Sequence, residues 1–150
     1  MSNQALKVKI FIIEDDFIFT NLLLELIENV KENYETKDVE IVTETFYSVK
    51  EAKYELPKKP DIILLDYFLM DDSLEPVTSD KLLEEIQLGD KNIKVVVVSG
   101  QEDPEVEYDL QRKGASYYIN KSPKSLVKIV PVLQEIIDEI IKKACQKINS

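Results

Sequence analysis

Four short runs of apolar, mostly β-branched residues recur along the chain: VKIFII (Val8 to Ile13), VEIVT (Val39 to Thr43), DIILLD (Asp61 to Asp66) and IKVVVVS (Ile93 to Ser99). A weaker fifth, SYYIN, spans Ser116 to Asn120. Successive rather than alternate positions are apolar, which predicts strands covered on both faces, the habit of parallel sheets. Between the runs, apolar residues return at helical spacing: Leu22, Leu23, Leu26, Ile27 and Val30, then Leu82, Leu83 and Ile86, then Val106 and Leu110. A helix around SVKEAKYEL is expected to end at Pro57, and the fourth helix at Gly114, a favoured C-terminal cap. A last apolar stripe from Leu126 to Ile148 predicts a long closing helix over about 125–147 whose first half covers the sheet. Pro131 belongs in the first turn of that helix or kinks it. This alternation predicts an α/β domain of (βα)5 type, an open, doubly wound parallel five-stranded sheet. Its ligand crevice lies beyond the carboxyl ends of the strands.

Composition bounds the function. A chain of 150 residues, 44% hydrophobic, is the size of one domain and buries a core without staples, so 1–150 is expected to be a single unit. A formal charge of -10, from 29 acidic against 19 basic side chains, argues against nucleic acid or an anionic membrane as partner and favours a cation or a basic protein. One cysteine, Cys145, cannot form an internal disulfide and suits a reducing compartment. No targeting or membrane-spanning segment is visible, so the expected location is cytoplasmic. The absence of histidine excludes Ser-His triads, histidine bases and imidazole metal sites.

Polar residues with chemical potential gather just after the runs. Glu14, Asp15 and Asp16 follow the first, Asp66 ends the third, Ser99 and Gly100 end the fourth, and Lys121 follows the fifth. Parallel strands bring these ends to one edge. Carboxylates converging there repel and raise one another's proton affinity unless a hard cation sits between them, and magnesium fits an all-oxygen set. A lysine and a hydroxyl beside such a site suit a bound or transferred phosphoryl group, and an aspartate at a strand end is a candidate acyl nucleophile. Asp16 stands apart, as an acid placed to start the first helix.

The motifs FIIEDD, PDIILLD, VVVVSGQ and GASYYINKS, in this order from Val8 to about Ile140, resemble the receiver domain of bacterial two-component response regulators. That resemblance implies a flavodoxin-like fold with strand order 2-1-3-4-5. It implies Asp66 as phosphoacceptor, and magnesium held by Glu14, Asp15, Asp66 and the backbone carbonyl of Phe68. Ser99 and Lys121 would grip the phosphoryl oxygens, Ser99 and Tyr118 would form the switch pair with Tyr117 the alternate, and Phe68 and Gln101 would tune the lifetime of the acyl phosphate. The implied partners are a histidine kinase or phosphotransfer protein upstream and an output protein downstream. The chain would be no enzyme toward other substrates, catalysing only its own phosphorylation and dephosphorylation. Its length leaves no room for a DNA-binding output domain, so output is expected through protein contact. The later turns of the closing helix, with Lys142, Lys143 and Lys147, offer a surface for a partner or a homodimer.

Three departures stand out. The segment after Asp66, YFLMDDSLEPVTSDKLL, is longer than the family's usual loop and lacks its glycine, so Ser79 or Asp80 is expected to cap the third helix, with Asp71, Asp72 and Glu75 solvated. Lys121 is followed by Ser122 before Pro123, so the cis bond common in the family has no proline to favour it here. Phe68 is bulky and apolar where it would hinder an attacking water. It also stands where a haloacid-dehalogenase-type phosphatase needs an acid, which disfavours that rival. A second rival is a receiver-like interaction module that takes no phosphate.

Overall fold

The computed structural model describes residues 5–70 and 76–148. Five strands form one parallel sheet: β1 (Leu6–Ile13), β2 (Val39–Phe46), β3 (Ile62–Asp66), β6 (Lys94–Ser99) and β7 (Tyr117–Asn120), in the order β2-β1-β3-β6-β7. Counting only these five in chain order, that is 2-1-3-4-5, as expected. Two three-residue strands, β4 (Phe68–Met70) and β5 (Pro76–Thr78), pair antiparallel as a separate hairpin in the long segment after Asp66. The hairpin was not foreseen, because three-residue strands are too short to carry a period. Asp71, Asp72 and Glu75 lie outside the described residues.

Helices α1 (Phe17–Glu32) and α6 (Ile129–Ile148) cover one face of the sheet. Helices α2 (Val49–Glu55), α3 (Asp80–Gly89) and α4 (Pro104–Arg112) cover the other. The strands therefore sort their side chains by parity. Ile10, Ile12, Ile62, Leu64, Val96 and Val98 pack with Leu23, Ile27, Leu133 and Ile137, whereas Phe11, Ile13, Ile63, Leu65, Val95 and Val97 pack with Leu82, Leu83, Ile86 and Leu110. Such two-sided burial is why the strands read as unbroken apolar runs.

Local chemistry sets the helix ends. Asp16 caps α1, its carboxylate accepting from the N–H groups of Ile18 and Phe19, and Ser48 and Asp103 cap α2 and α4 in the same way. A single 3-10 turn, Leu56–Lys58, holds Pro57 and ends α2. Gly114 follows α4 at φ +113°, and a Cβ there would lie 2.4 Å from Cγ of Gln87, whose amide donates to the Ile93 carbonyl. The closing helix differs from expectation: a four-residue turn, α5 (Pro123–Leu126), comes first, and the long helix begins only at Ile129. Pro131 accounts for the restart, since a residue without an N–H fits the first helical turn and no later one. Among the described residues no helix is long and apolar enough to cross a membrane.

Helix α6 is tied to the end of α1 by Tyr34, which is buried and donates its hydroxyl to Asp138 at 2.7 Å and to the Gln134 carbonyl at 3.1 Å. Burial first, then the Asp138 carboxylate, holds the phenol proton well above its usual range. Tyr34→Phe is expected to lower stability by about 1 to 2 kcal/mol, seen in urea unfolding as a lower midpoint with an unchanged slope.

Candidate functional site

Strand register places the acids. Ile13 pairs with Leu65 and Asp66 pairs with Val98, so Glu14 and Asp66 end level on neighbouring strands and Ser99 stands one residue further. Glu14 and Asp66 are buried, Asp15 is half-buried, and one carboxylate oxygen from each lies within 4.8 Å of the others. The hydroxyl-bearing Ser99 is wholly buried. Lys121 follows β7 and reaches across the edge, its ammonium 3.2 Å from Glu14 Oε2 and 3.1 Å from Asp66 Oδ1. It also sits 4.3 Å from the ring centre of Phe19, a cation–π contact that holds it over the acids.

Burial pushes the Glu14 carboxyl from 4.5 up to about 8, with Asp66 adding to the rise and Lys121 opposing it. Burial also raises Asp66, again against the pull of Lys121. At Lys121 burial works against the ammonium, but Asp66 and Glu14 outweigh it and its proton is held more tightly than usual. Among the described residues, Lys121 is the cation that reaches both Glu14 and Asp66 in this group of three carboxylates. All their donors are oxygen and the two inner acids are short of water, a set that fits a hard divalent ion such as magnesium.

Strand parity separates the two tyrosines. Tyr118 packs with the α3 and α4 side, whereas Tyr117 packs with the α1 and α6 side. The Tyr118 hydroxyl donates to the Gln101 carbonyl at 2.6 Å, and the Gln101 N–H donates to the Ser99 hydroxyl at 3.2 Å. Ser99, Gln101 and Tyr118 are therefore one hydrogen-bonded chain. Phe68 is partly exposed at the start of the hairpin, its ring edge-on to Tyr67 with centres 4.7 Å apart.

One expectation changes here, the capping of α3 by Ser79 or Asp80. Ser79 sits at the N-cap position of α3, yet its hydroxyl does not cap; it turns back to donate to the carbonyls of Asp66 and, at 3.1 Å, Tyr67. The helix start is thereby bonded to the strand end that bears the central aspartate, and the carbonyls freed where the hairpin leaves the sheet outcompete the cap. Asp80 lies within α3 and pairs instead with Lys113 at 2.9 Å. The described residues contain no cis peptide bond, so Lys121-Ser122 is trans. Sequence reading named Ser79 only as a helix cap and missed Phe19. The bonds Ser79 makes to carbonyls distant in sequence carry no local signal, while Phe19, off the apolar stripe beside the acids, was a visible clue.

The family model for the response regulator receiver domain matches residues 10–131. The chain belongs to that family. The receiver fold recurs in a two-component response regulator from Clostridium difficile, 19% identical at TM-score 0.72, covering 89% of this chain and 98% of that one. It recurs in the signal receiver domain of a DNA-binding response regulator from Colwellia psychrerythraea 34H, 20% identical at TM-score 0.67, covering 90% and 98%. A third likeness is the BeF3-activated receiver domain of DrrB, a Thermotoga maritima protein, 16% identical at TM-score 0.69, covering 89% and 99%. At these identities the likeness is one of fold. No curated protein matches the chain.

The acid pair gives the receiver a pH signature when divalent ions are removed. The folded value for Glu14 lies above that of the unfolded chain, so its contribution to stability is complete below about pH 4.5 and is lost as pH rises toward 8. In chelator, the parent is expected to lose on the order of 2 kcal/mol between about pH 5 and about pH 9, and Glu14→Gln markedly less. Thermal unfolding across that range checks it; parallel pH curves for the two proteins would contradict it.

Proposed function

We propose that this receiver is a phosphorylation-driven switch that takes a phosphoryl group onto Asp66 from a histidine kinase or phosphotransfer protein. The observation that carries the reading is the convergence of Asp66 with Glu14 and Asp15 within 4.8 Å, opposed by Lys121. An Asp66 carboxylate oxygen forms the new O–P bond while the P–N bond to the donor's imidazole breaks, its electron pair leaving on the nitrogen, which gains a proton from solvent. Glu14, Asp15, Asp66 and the Phe68 carbonyl would hold magnesium, which when bound supplies positive charge against the phosphoryl oxygens.

The chain's own groups do the remaining work. Lys121, already 3.1 Å from Asp66 Oδ1, stands where an oxygen of a phosphoryl group on that residue would meet it. Ser99 can donate its hydroxyl to a second oxygen, and any movement of that hydroxyl draws on the Gln101 N–H bonded to it. Gln101 is in turn held by Tyr118, so a change at Ser99 is passed to the face formed by α4 and β7. This wiring supports output through protein contact at that face, and the reading includes a chain that catalyses only its own phosphorylation and dephosphorylation. That BeF3 activates the DrrB receiver of the same fold supports a small anion as the trigger.

Incubation with a small acyl or amido phosphate donor and magnesium is expected to add one phosphoryl group by intact mass. The addition should be absent in chelator and absent in Asp66→Asn. Loss of labelling in the parent itself would instead favour a phosphate-independent interaction module.

Phe68 is expected to slow hydrolysis by keeping water from the acyl phosphate. The label on Phe68→Asn should decay several-fold faster than on the parent, followed by intact mass after donor removal; equal rates would sink this role.

A further inference from the structure

The receiver family accounts for residues 10–131, so nearly all of α6 lies past the matched part. At the sheet edge opposite Asp66, a groove of about 800 Å³ runs between the strand starts, at Leu6, Lys94 and Tyr117, and the turns of α6 bearing Ile136, Ile140 and Ala144. Leu6, Ile136, Ile140 and Ala144 give it an apolar floor, and Tyr117 an aromatic wall. Its helix side is charged in an ordered way: Glu135 and Glu139 come first along α6, Lys143 and Lys147 after them, and all four are exposed, while Asp61 and Lys94 line the strand side.

Charge sorted along a helix in this manner is self-complementary. When two copies meet antiparallel about a two-fold axis, the acidic half of each faces the basic half of the other. The register is consistent, because residue 135 with residue 147 and residue 139 with residue 143 are both centred on residue 141. One axis satisfies both pairs. Each copy carries a formal charge of -10, which opposes approach in general, whereas the sorted charges along this helix offer two copies a local attraction. We propose that the chain forms a two-fold dimer through antiparallel contact of its α6 helices along this groove. Glu135 and Glu139 of one copy then face Lys147 and Lys143 of the second. An isologous contact of this kind brings both apolar floors together in one step.

Light scattering and sedimentation equilibrium on the full chain test it. At low ionic strength the parent is expected to be dimeric, with dissociation favoured as salt rises. Glu139→Lys and Lys143→Glu should each weaken the dimer roughly tenfold or more, since each places like charges across the contact. An equimolar mixture of the two variants restores both pairs in a heterodimer and should regain the parent's mass. A parent that stays monomeric at every attainable concentration would overturn the proposal and leave the groove to another occupant. A dimer indifferent to both reversals, or one that the mixture does not restore, would overturn it as well. The groove is remote from Asp66, so Asp66→Asn should dimerise as the parent does and Lys143→Glu should label as the parent does. Failure of the dimer and failure of the phosphoacceptor reading are thereby distinguishable.

Discussion

Glu14 and Asp66 end level on adjacent strands with both carboxyl groups withdrawn from water, and the ammonium of Lys121 is the described cation that bridges them. Everything else at this edge of the sheet is arranged around that imbalance. Burial raises both acids, and a single lysine lowers them only in part. Added positive charge would relieve this condition, and the phosphoryl group of the proposed function would worsen it unless charge arrived with it. On the proposed function, the same shortage of cations would underlie both metal binding and the coupling of phosphoryl acceptance to metal.

The parallel sheet is what makes the imbalance possible. Every strand ends at the same edge, so residues distant in sequence, from Glu14 to Lys121, need only stop at matching levels to converge. The hairpin after Asp66 would disturb such an edge if left loose. Ser79 prevents this by bonding its hydroxyl to the Asp66 and Tyr67 carbonyls, and the Ser79 N–H donates to Tyr67 as well. An inserted segment is thus sewn back to the strand it interrupts, and the aspartate keeps its level.

The sheet was legible because burial on both faces leaves unbroken apolar runs, and the acids were legible because they stand directly after those runs. Asp16 as helix cap could be read from its type and place alone. What the sequence did not show depends on contacts between distant segments. The hairpin strands are three residues each, too short for a pattern, and Ser79 takes its role from carbonyls thirteen and twelve residues earlier. The break before Ile129 lay within a stripe that reads as continuous, because α5 and α6 bury residues of the same apolar cluster while Pro131 alone marks where regular hydrogen bonding can resume.

Strand β7 joins two surfaces without making them one. Tyr117 and Tyr118 are neighbours in sequence, but alternation turns the first toward α6 and the second toward α4. Tyr118 is bonded into the chain that leads back to Ser99, whereas Tyr117 walls the groove at the opposite edge. A rotation of the Tyr118 side chain leaves the Tyr117 ring where it was, so a signal carried by side chains alone reaches the α4 face and stops there. Only a shift of the β7 backbone would move both rings. Its parallel ladder with β6, from Val96 paired with Tyr117 to Ser99 paired with Asn120, resists that shift. On the proposed function, the physical expectation is therefore a switch that acts locally at the α4 face, with the proposed contact along α6 set by charge and packing rather than by the state of Asp66.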